Sequence, residues 1–154
     1  MNFAIVKVRF DAAIEAFREN DAQLLELGVS ERTIAARLQV YLVSLFPSHH
    51  VDVEYNRHGV DVKRLSRSRD CGNDDITSRI LPDIVIHKRG DDKANLLVVE
   101  IKDDSAGSAQ VDRDREKLAK LRRQYCYQHT LLLQIPRGQT SAGRDWLLEW
   151  DGRQ

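Results

Sequence analysis

Residues 82–104, PDIVIHKRGDDKANLLVVEIKDD, constrain the fold of this chain more than any other stretch. Two apolar runs rich in β-branched residues are joined by a short charged segment, which is typical of two strands linked by a turn. A tight turn near Asp91 and Asp92 makes the two strands antiparallel neighbours. A buried strand normally carries few charges, yet three ionisable residues stand at the ends of these runs: Asp83, Glu100 and Lys102.

Strand alternation sorts this hairpin onto two faces, because successive side chains of a strand point to opposite sides of the sheet. One face is wholly apolar and takes Ile84, Ile86, Leu97, Val99 and Ile101. The other face takes Asp83, Val85, His87, Leu96, Val98, Glu100 and Lys102. In an antiparallel pair this places Asp83 within ~5–8 Å of Glu100 and Lys102, measured between Cβ atoms.

Two interpretations of the polar face remain open. Asp83 and Lys102 can form an ordinary cross-strand ion pair on a solvated face. The apolar side chains on the same face would, however, partly cover it, and neighbouring buried carboxylates are costly without a cation or hydrogen bonds. A divalent cation held by Asp83 and Glu100, with Lys102 beside it, is the explanation that we favour.

A helix predicted at about 31–46 adds a further acid. Ser30 is its expected N-cap, and Pro47 ends it. Glu31 lies three, four and seven residues before Ile34, Ala35 and Leu38, which places it on the apolar stripe of the helix. An acid in a first turn is also favoured by the helix dipole, so Glu31 either caps the helix or reaches the metal site.

The other elements predict a mixed sheet flanked by helices. They are a helix at about 10–27, a half-buried strand at 50–57, a polar loop at 66–80, a helix at about 111–125, a buried strand at 129–136 and a last strand or short helix at 145–150. The order of helices and strands indicates an α/β protein, and no repeat or linker divides residues 1–154. We therefore expect one domain.

Composition excludes several function classes. The 154 residues include 24 basic and 24 acidic residues, so bulk positive charge cannot hold the chain on nucleic acid. No apolar run reaches the ~20 residues that span a bilayer, and the first residues do not resemble a signal peptide. We expect a cytoplasmic protein without a membrane partner. Cys71 and Cys126 can form one disulfide, although two free thiols are favoured in a reducing compartment.

The spacing of the charged residues resembles a known enzyme group. Pro82–Asp83, a gap of sixteen residues and then Glu100–Ile101–Lys102 is similar to the motif of the PD-(D/E)XK nuclease superfamily. The resemblance implies a restriction-endonuclease-like fold in residues 30–136, preceded by a helical extension in residues 1–29. Glu31 sits where many members carry an extra acid. The segments VDVEYNR and PDIVIHKRG…NLLVVEIK also look like small bacterial or phage members without assigned roles.

The resemblance implies a hydrolase that cleaves phosphodiester bonds in nucleic acid, DNA rather than RNA. Asp83, Glu100, the Ile101 carbonyl oxygen and Glu31 are expected to bind Mg²⁺ or Mn²⁺. Lys102 would orient or deprotonate the attacking water and counter charge on the phosphate. Two alternatives stay open: a non-catalytic binding or regulatory module with the same fold, and an acidic cluster with a structural role.

Several further charged residues are candidates for contacts with the substrate. Basic residues that can touch phosphates, or that are simply solvated, are Arg57, Lys63, Arg64, Lys88, Arg89, Lys117 and Lys120. Glu54 either faces the same cleft as an accessory acid or pairs with Arg57. No feature indicates sequence-specific recognition, and a homodimer is compatible with the chain.

Overall fold

A five-stranded mixed sheet organises the part of the chain that the computed structural model describes, which comprises residues 1–55, 57–58, 61–62, 64–65, 78–79, 81–139, 141 and 143–152. The sheet contains β1 (His50–Val53), β6 (Ile84–His87), β7 (Leu97–Asp103), β8 (His129–Ile135) and β9 (Leu147–Gly152), in that order across the sheet. Two short strand pairs lie between β1 and β6 in sequence: β2 (Arg57–His58) with β3 (Asp61–Val62), and β4 (Arg64–Leu65) with β5 (Ser78–Arg79).

The helices are α1 (Phe3–Asp21), α2 (Gln23–Glu26), α3 (Glu31–Leu45) and α4 (Ser108–Tyr125), with a 3₁₀ turn at Asp92–Ala94. The first helix begins earlier than predicted because the Asn2 side chain accepts from the Ala4 N–H at 2.8 Å and caps it. Ser30 caps α3 as expected, with its Oγ 3.3 Å from the Thr33 nitrogen. The helix predicted at about 111–125 begins three residues earlier, at Ser108.

One strand prediction needs correction. The strand expected at 50–57 ends at Val53, because Glu54 adopts a left-handed φ of 50° and bends the chain. Alternation therefore does not extend to Glu54. Of the two alternatives for the segment at 145–150, the strand is confirmed, as β9 begins at Leu147. The loop predicted at 66–80 lies outside the described residues, apart from β5.

Each face of the sheet carries its own core. Helices α1 and α3 pack on one face with the side chains of Ile84, Ile86, Leu97, Val99 and Ile101. Helix α4 packs on the other face with Val85, Val98 and Leu132. The predicted alternation of β6 and β7 is thus confirmed. Leu96 is the exception: it joins the α1/α3 core because it precedes β7 and so does not follow the alternation of that strand.

The connections place several chain segments at one end of the sheet. Strands β6 and β7 are antiparallel, whereas β7 and β8 are parallel and are joined by the α4 crossover. The beginning of β6 and the end of β7 therefore lie at the same end of the sheet. The beginning of α3 reaches this end, where Glu31 accepts from the Asp103 backbone nitrogen. None of the helices in the described ranges is long and apolar enough to cross a membrane.

Candidate functional site

Asp83 and Glu100 are brought together by the pairing of β6 with β7. The register pairs Ile84 with Val99 and Val85 with Val98, so one further pair along the chain sets Asp83 opposite Glu100. The Asp83 Oδ2 atom accepts a hydrogen bond from the Ile101 backbone nitrogen at 2.7 Å. Glu100 is only 2% exposed and projects from the α4 face of the sheet, as the alternation predicted.

Lys102 is held between two carboxylates from different helices. Its Nζ lies 3.2 Å from Oε2 of Glu31 and 3.6 Å from Oδ2 of Asp114 on α4. The Glu31 Oε1 atom also accepts from the Asp103 backbone nitrogen at 3.0 Å. The side chain of Glu31 therefore reaches β7, while Ser30 provides the cap of α3.

Lys117, which we expected to contact phosphates, instead lies inside this site. Its Nζ is 2.7 Å from Oε1 and 2.8 Å from Oε2 of Glu100, and it donates to the Leu81 carbonyl oxygen at 3.3 Å. Lys117 thus contacts both oxygens of the most deeply buried acid in the site.

Burial and crowding of like charges alter the proton affinities of these groups. Burial raises the pKa of Glu100 to about 8; Lys117 opposes this rise, and the neighbouring carboxylates of Asp83 and Asp114 add to it. Burial also raises the pKa of Asp83, and the hydrogen bond from the Ile101 N–H opposes this rise without cancelling it. Burial lowers the pKa of Lys102, but the carboxylates around it outweigh burial and the net change is upward.

We call these groups the carboxylate cluster. It draws on α3, β7, α4 and the residue before β6, and its six members are Glu31, Asp83, Glu100, Lys102, Asp114 and Lys117. With four acids and two lysines, it carries two excess negative charges when every group is ionised. Buried excess charge of this kind is costly unless a cation compensates it.

The oxygens of the cluster suit a hard divalent cation. Glu100 Oε1 and Asp114 Oδ2 are buried and accept no hydrogen bond of regular geometry; their near neighbours are the Lys117 ammonium at 2.7 Å and the Lys102 ammonium at 3.6 Å. Carboxylate oxygens are the ligands that Mg²⁺ and Mn²⁺ prefer. Among the described residues, however, no three His, Cys, Asp or Glu side chains already stand close enough together to hold a metal ion. In this arrangement the ammonium groups of Lys102 and Lys117 contact the acids instead.

Asp114 is a residue of the site that the sequence analysis did not identify. The signal for its position was present, because Asp114 lies three residues after Val111 and four before Leu118, both of which are buried. The same spacing argument placed Glu31 correctly on the inward stripe of α3.

Glu54 lies at the same end of the sheet, but its side chain turns to another partner. Its backbone nitrogen donates to the Asp83 carbonyl oxygen at 3.2 Å. Its carboxylate forms an ion pair with Arg32, the neighbour of Glu31, at the surface. The described contacts thus pair Glu54 with Arg32, whereas the side chain of the expected partner, Arg57, lies outside the described residues.

Of the remaining basic candidates, the structure describes the side chains of Lys88, Arg89 and Lys120. Arg89 binds Asp52, with Nε 2.8 Å from Oδ2, and His87 Nε2 lies 2.9 Å from the same oxygen. This group is at the far end of β6 from Asp83. Lys88 is exposed and Lys120 is half-buried. Lys63, and the side chains of Arg57 and Arg64, lie outside the described residues.

Comparison of this chain with protein-family models, with curated proteins and with solved structures finds no match. The likeness to PD-(D/E)XK nucleases is carried by Asp83, Glu100 and Lys102 themselves and by the helix acid Glu31. Cys126 is a free, exposed thiol, and Cys71 lies outside the described residues.

Proposed function

We propose that this chain is a Mg²⁺- or Mn²⁺-dependent nuclease with a restriction-endonuclease-like fold, which hydrolyses phosphodiester bonds in DNA rather than RNA. The observation that carries the proposal is the convergence of Asp83, Glu100 and Lys102 with Glu31 at one end of the sheet. Four acids share only two lysines in this site, and the excess of negative charge favours a site that is completed by a cation.

Asp83 and Glu100 would hold the metal ion, with the Ile101 carbonyl oxygen and Glu31 as further ligands. Asp83 is already oriented by the Ile101 N–H, which restricts the rotation of its carboxylate. When bound, a divalent ion supplies Lewis-acid stabilisation of the phosphoryl oxygens and lowers the pKa of a water molecule.

Lys102 would neutralise charge on the phosphate and orient the attacking water. Its Nζ is fixed by Glu31 on one side and by Asp114 on the other, so the ammonium group is positioned before substrate arrives. Because these carboxylates raise the pKa of Lys102, the charged form is favoured, which supports the orienting role over that of proton acceptor.

A nuclease panel with and without divalent ions tests the proposal. Purified protein is incubated with plasmid DNA, single-stranded DNA and RNA in Mn²⁺, Mg²⁺ or EDTA, beside the variants Lys102→Met and Glu100→Gln. Cleavage is expected only with a divalent ion, and both variants should lose it while retaining the circular dichroism spectrum of the wild type. Lys7→Met, at an exposed position of α1, is the matched control. Equal cleavage by wild type and both variants would refute the assignment.

A non-catalytic nucleic-acid-binding or regulatory module is the second candidate. The contact of Lys117 with both Glu100 oxygens favours it, since a permanent ion pair would keep Glu100 from any metal. This candidate predicts nucleic-acid binding without cleavage and without any dependence on Mn²⁺ or Mg²⁺. Electrophoretic mobility shifts measured in EDTA and in Mn²⁺ distinguish the two functions.

A further inference from the structure

We propose that Lys117 is a built-in competitor for the metal: its ammonium group holds the Glu100 carboxylate in the metal-free protein, and a divalent cation must displace it in order to bind. This inference rests on the proposed function. It concerns how the same site is controlled. The affinity for the metal would depend on competition between a divalent ion in solution and Lys117 of α4 for the Glu100 carboxylate.

The surroundings of the Lys117 ammonium group are those of a bound cation. Three oxygen atoms surround it: Oε1 of Glu100 at 2.7 Å, Oε2 of Glu100 at 2.8 Å and the Leu81 carbonyl oxygen at 3.3 Å. Hard divalent ions select carboxylate and carbonyl oxygens of the same kind. The Nζ of Lys117 therefore takes a place where the side chain of Glu100 would receive a metal ion.

Lys117 is also the member of the Lys117–Glu100 ion pair whose side chain can move away from the site. Glu100 is 3% exposed at the side chain and is fixed on the central strand β7, whereas Lys117 is 26% exposed on the surface helix α4. A lysine stem can swing its ammonium group into water at little cost. Lys102 lacks this freedom, since its side chain is 13% exposed and contacts two carboxylates.

Energetics explain why the site needs such a lysine before metal arrives. A buried acid whose partner is removed destabilises a protein strongly, because its desolvation is no longer offset. Lys117 supplies the compensating charge in the metal-free protein, and a divalent ion would take over that role. Removing Lys117 should thus weaken the metal-free fold and strengthen metal binding at the same time, a combination that a purely structural ion pair does not produce.

The test compares Mn²⁺ binding and thermal unfolding in wild type, Lys117→Met and Arg113→Met. In Lys117→Met, the methionine keeps most of the aliphatic part of the lysine side chain but not its charge. Arg113→Met removes one positive charge from an exposed position of the same helix, so it controls for long-range electrostatic effects. By isothermal titration, Lys117→Met should bind Mn²⁺ about tenfold more tightly or better, which corresponds to at least ~1.4 kcal/mol. Arg113→Met should match the wild type. Without metal, Lys117→Met should have a lower melting temperature than the wild type. Addition of Mn²⁺ should raise the melting temperature of Lys117→Met by more than it raises that of the wild type.

Lys117→Gln provides a second variant in case the methionine protein does not fold, because its amide can still donate to Glu100. It should also bind Mn²⁺ more tightly than the wild type. Wild type that binds Mn²⁺ no more weakly than either variant would overturn the competition while leaving the nuclease proposal intact. Variants that bind Mn²⁺ tightly but never cleave would support the competition and overturn catalysis. Absence of Mn²⁺ binding in all of these proteins would overturn both.

Discussion

Metal-free protein should lose stability as the pH rises through the neutral range, and Glu100→Gln should remove most of that loss. The pKa of Glu100 lies at about 8 in the fold, against 4.5 for an ordinary glutamate. Between these values the folded protein binds more protons than the unfolded chain, so the free energy of unfolding falls as pH increases. The stabilisation is fully present below about pH 4.5 and is lost as the pH rises to the folded pKa near 8.

The size of this loss follows from the two pKa values. Each pKa unit corresponds to about 1.36 kcal/mol, so keeping Glu100 ionised costs the fold on the order of 5 kcal/mol. That is comparable to the whole stability of a small domain, roughly 5–15 kcal/mol. Glutamine has nearly the same size and cannot ionise, and its amide oxygen can still accept from Lys117.

Urea unfolding in EDTA at several pH values between about 5 and 9 measures the effect. The fluorescence of Trp146 and Trp150 reports unfolding, and Glu116→Gln, at an exposed position of α4, is the control for a lost charge. The wild-type and Glu116→Gln profiles should fall together with pH, whereas the Glu100→Gln profile should be much flatter. Parallel profiles for wild type and Glu100→Gln would refute the reasoning, since the buried acid would then not carry the pH dependence.

Two further predictions concern the support of the site and the core beneath it. Asp114→Asn should lower cleavage by about 10–100-fold without unfolding the protein, because Asp114 positions Lys102 from a neighbouring helix; rates equal to the wild type would remove Asp114 from the site. Leu38→Ala should lower the free energy of unfolding by about 2–5 kcal/mol in urea, since Leu38 is fully buried. Val43→Ala, at an exposed position of the same helix, should change it by less than about 0.5 kcal/mol, and similar losses in both would contradict the packing described for α3.

Local patterns predicted the layers of the fold well. The period of two in β6 and β7 assigned side chains such as Val85 and Val98 to the α4 face, because that period is imposed by the strand backbone itself. The caps and the apolar stripe located α3 and the inward position of Glu31. The same logic failed at Glu54, where a positive φ ends the alternation, and no neighbouring residue signals that bend.

Tertiary packing alone decided which charges meet. The sequence predicted a phosphate contact for Lys117 and no role for Asp114, whereas the fold joins Lys117 to Glu100 and Asp114 to Lys102. Those partners are separated by 17 and 12 residues, and their approach depends on how α4 is rotated and seated on the sheet by its buried face. Helical spacing places a residue on one side of its own helix but does not name the group that it will face.

The sequence by itself determined that Asp83, Glu100 and Lys102 share one face at the end of a hairpin, since alternation and antiparallel register are local properties of two adjacent strands. Only the tertiary structure decided that this face is covered by α4 and that a lysine from α4 contacts the buried acid. The physical reason is that the free energy of a charge depends on the surroundings supplied by distant segments, and those surroundings exist only once the chain has folded.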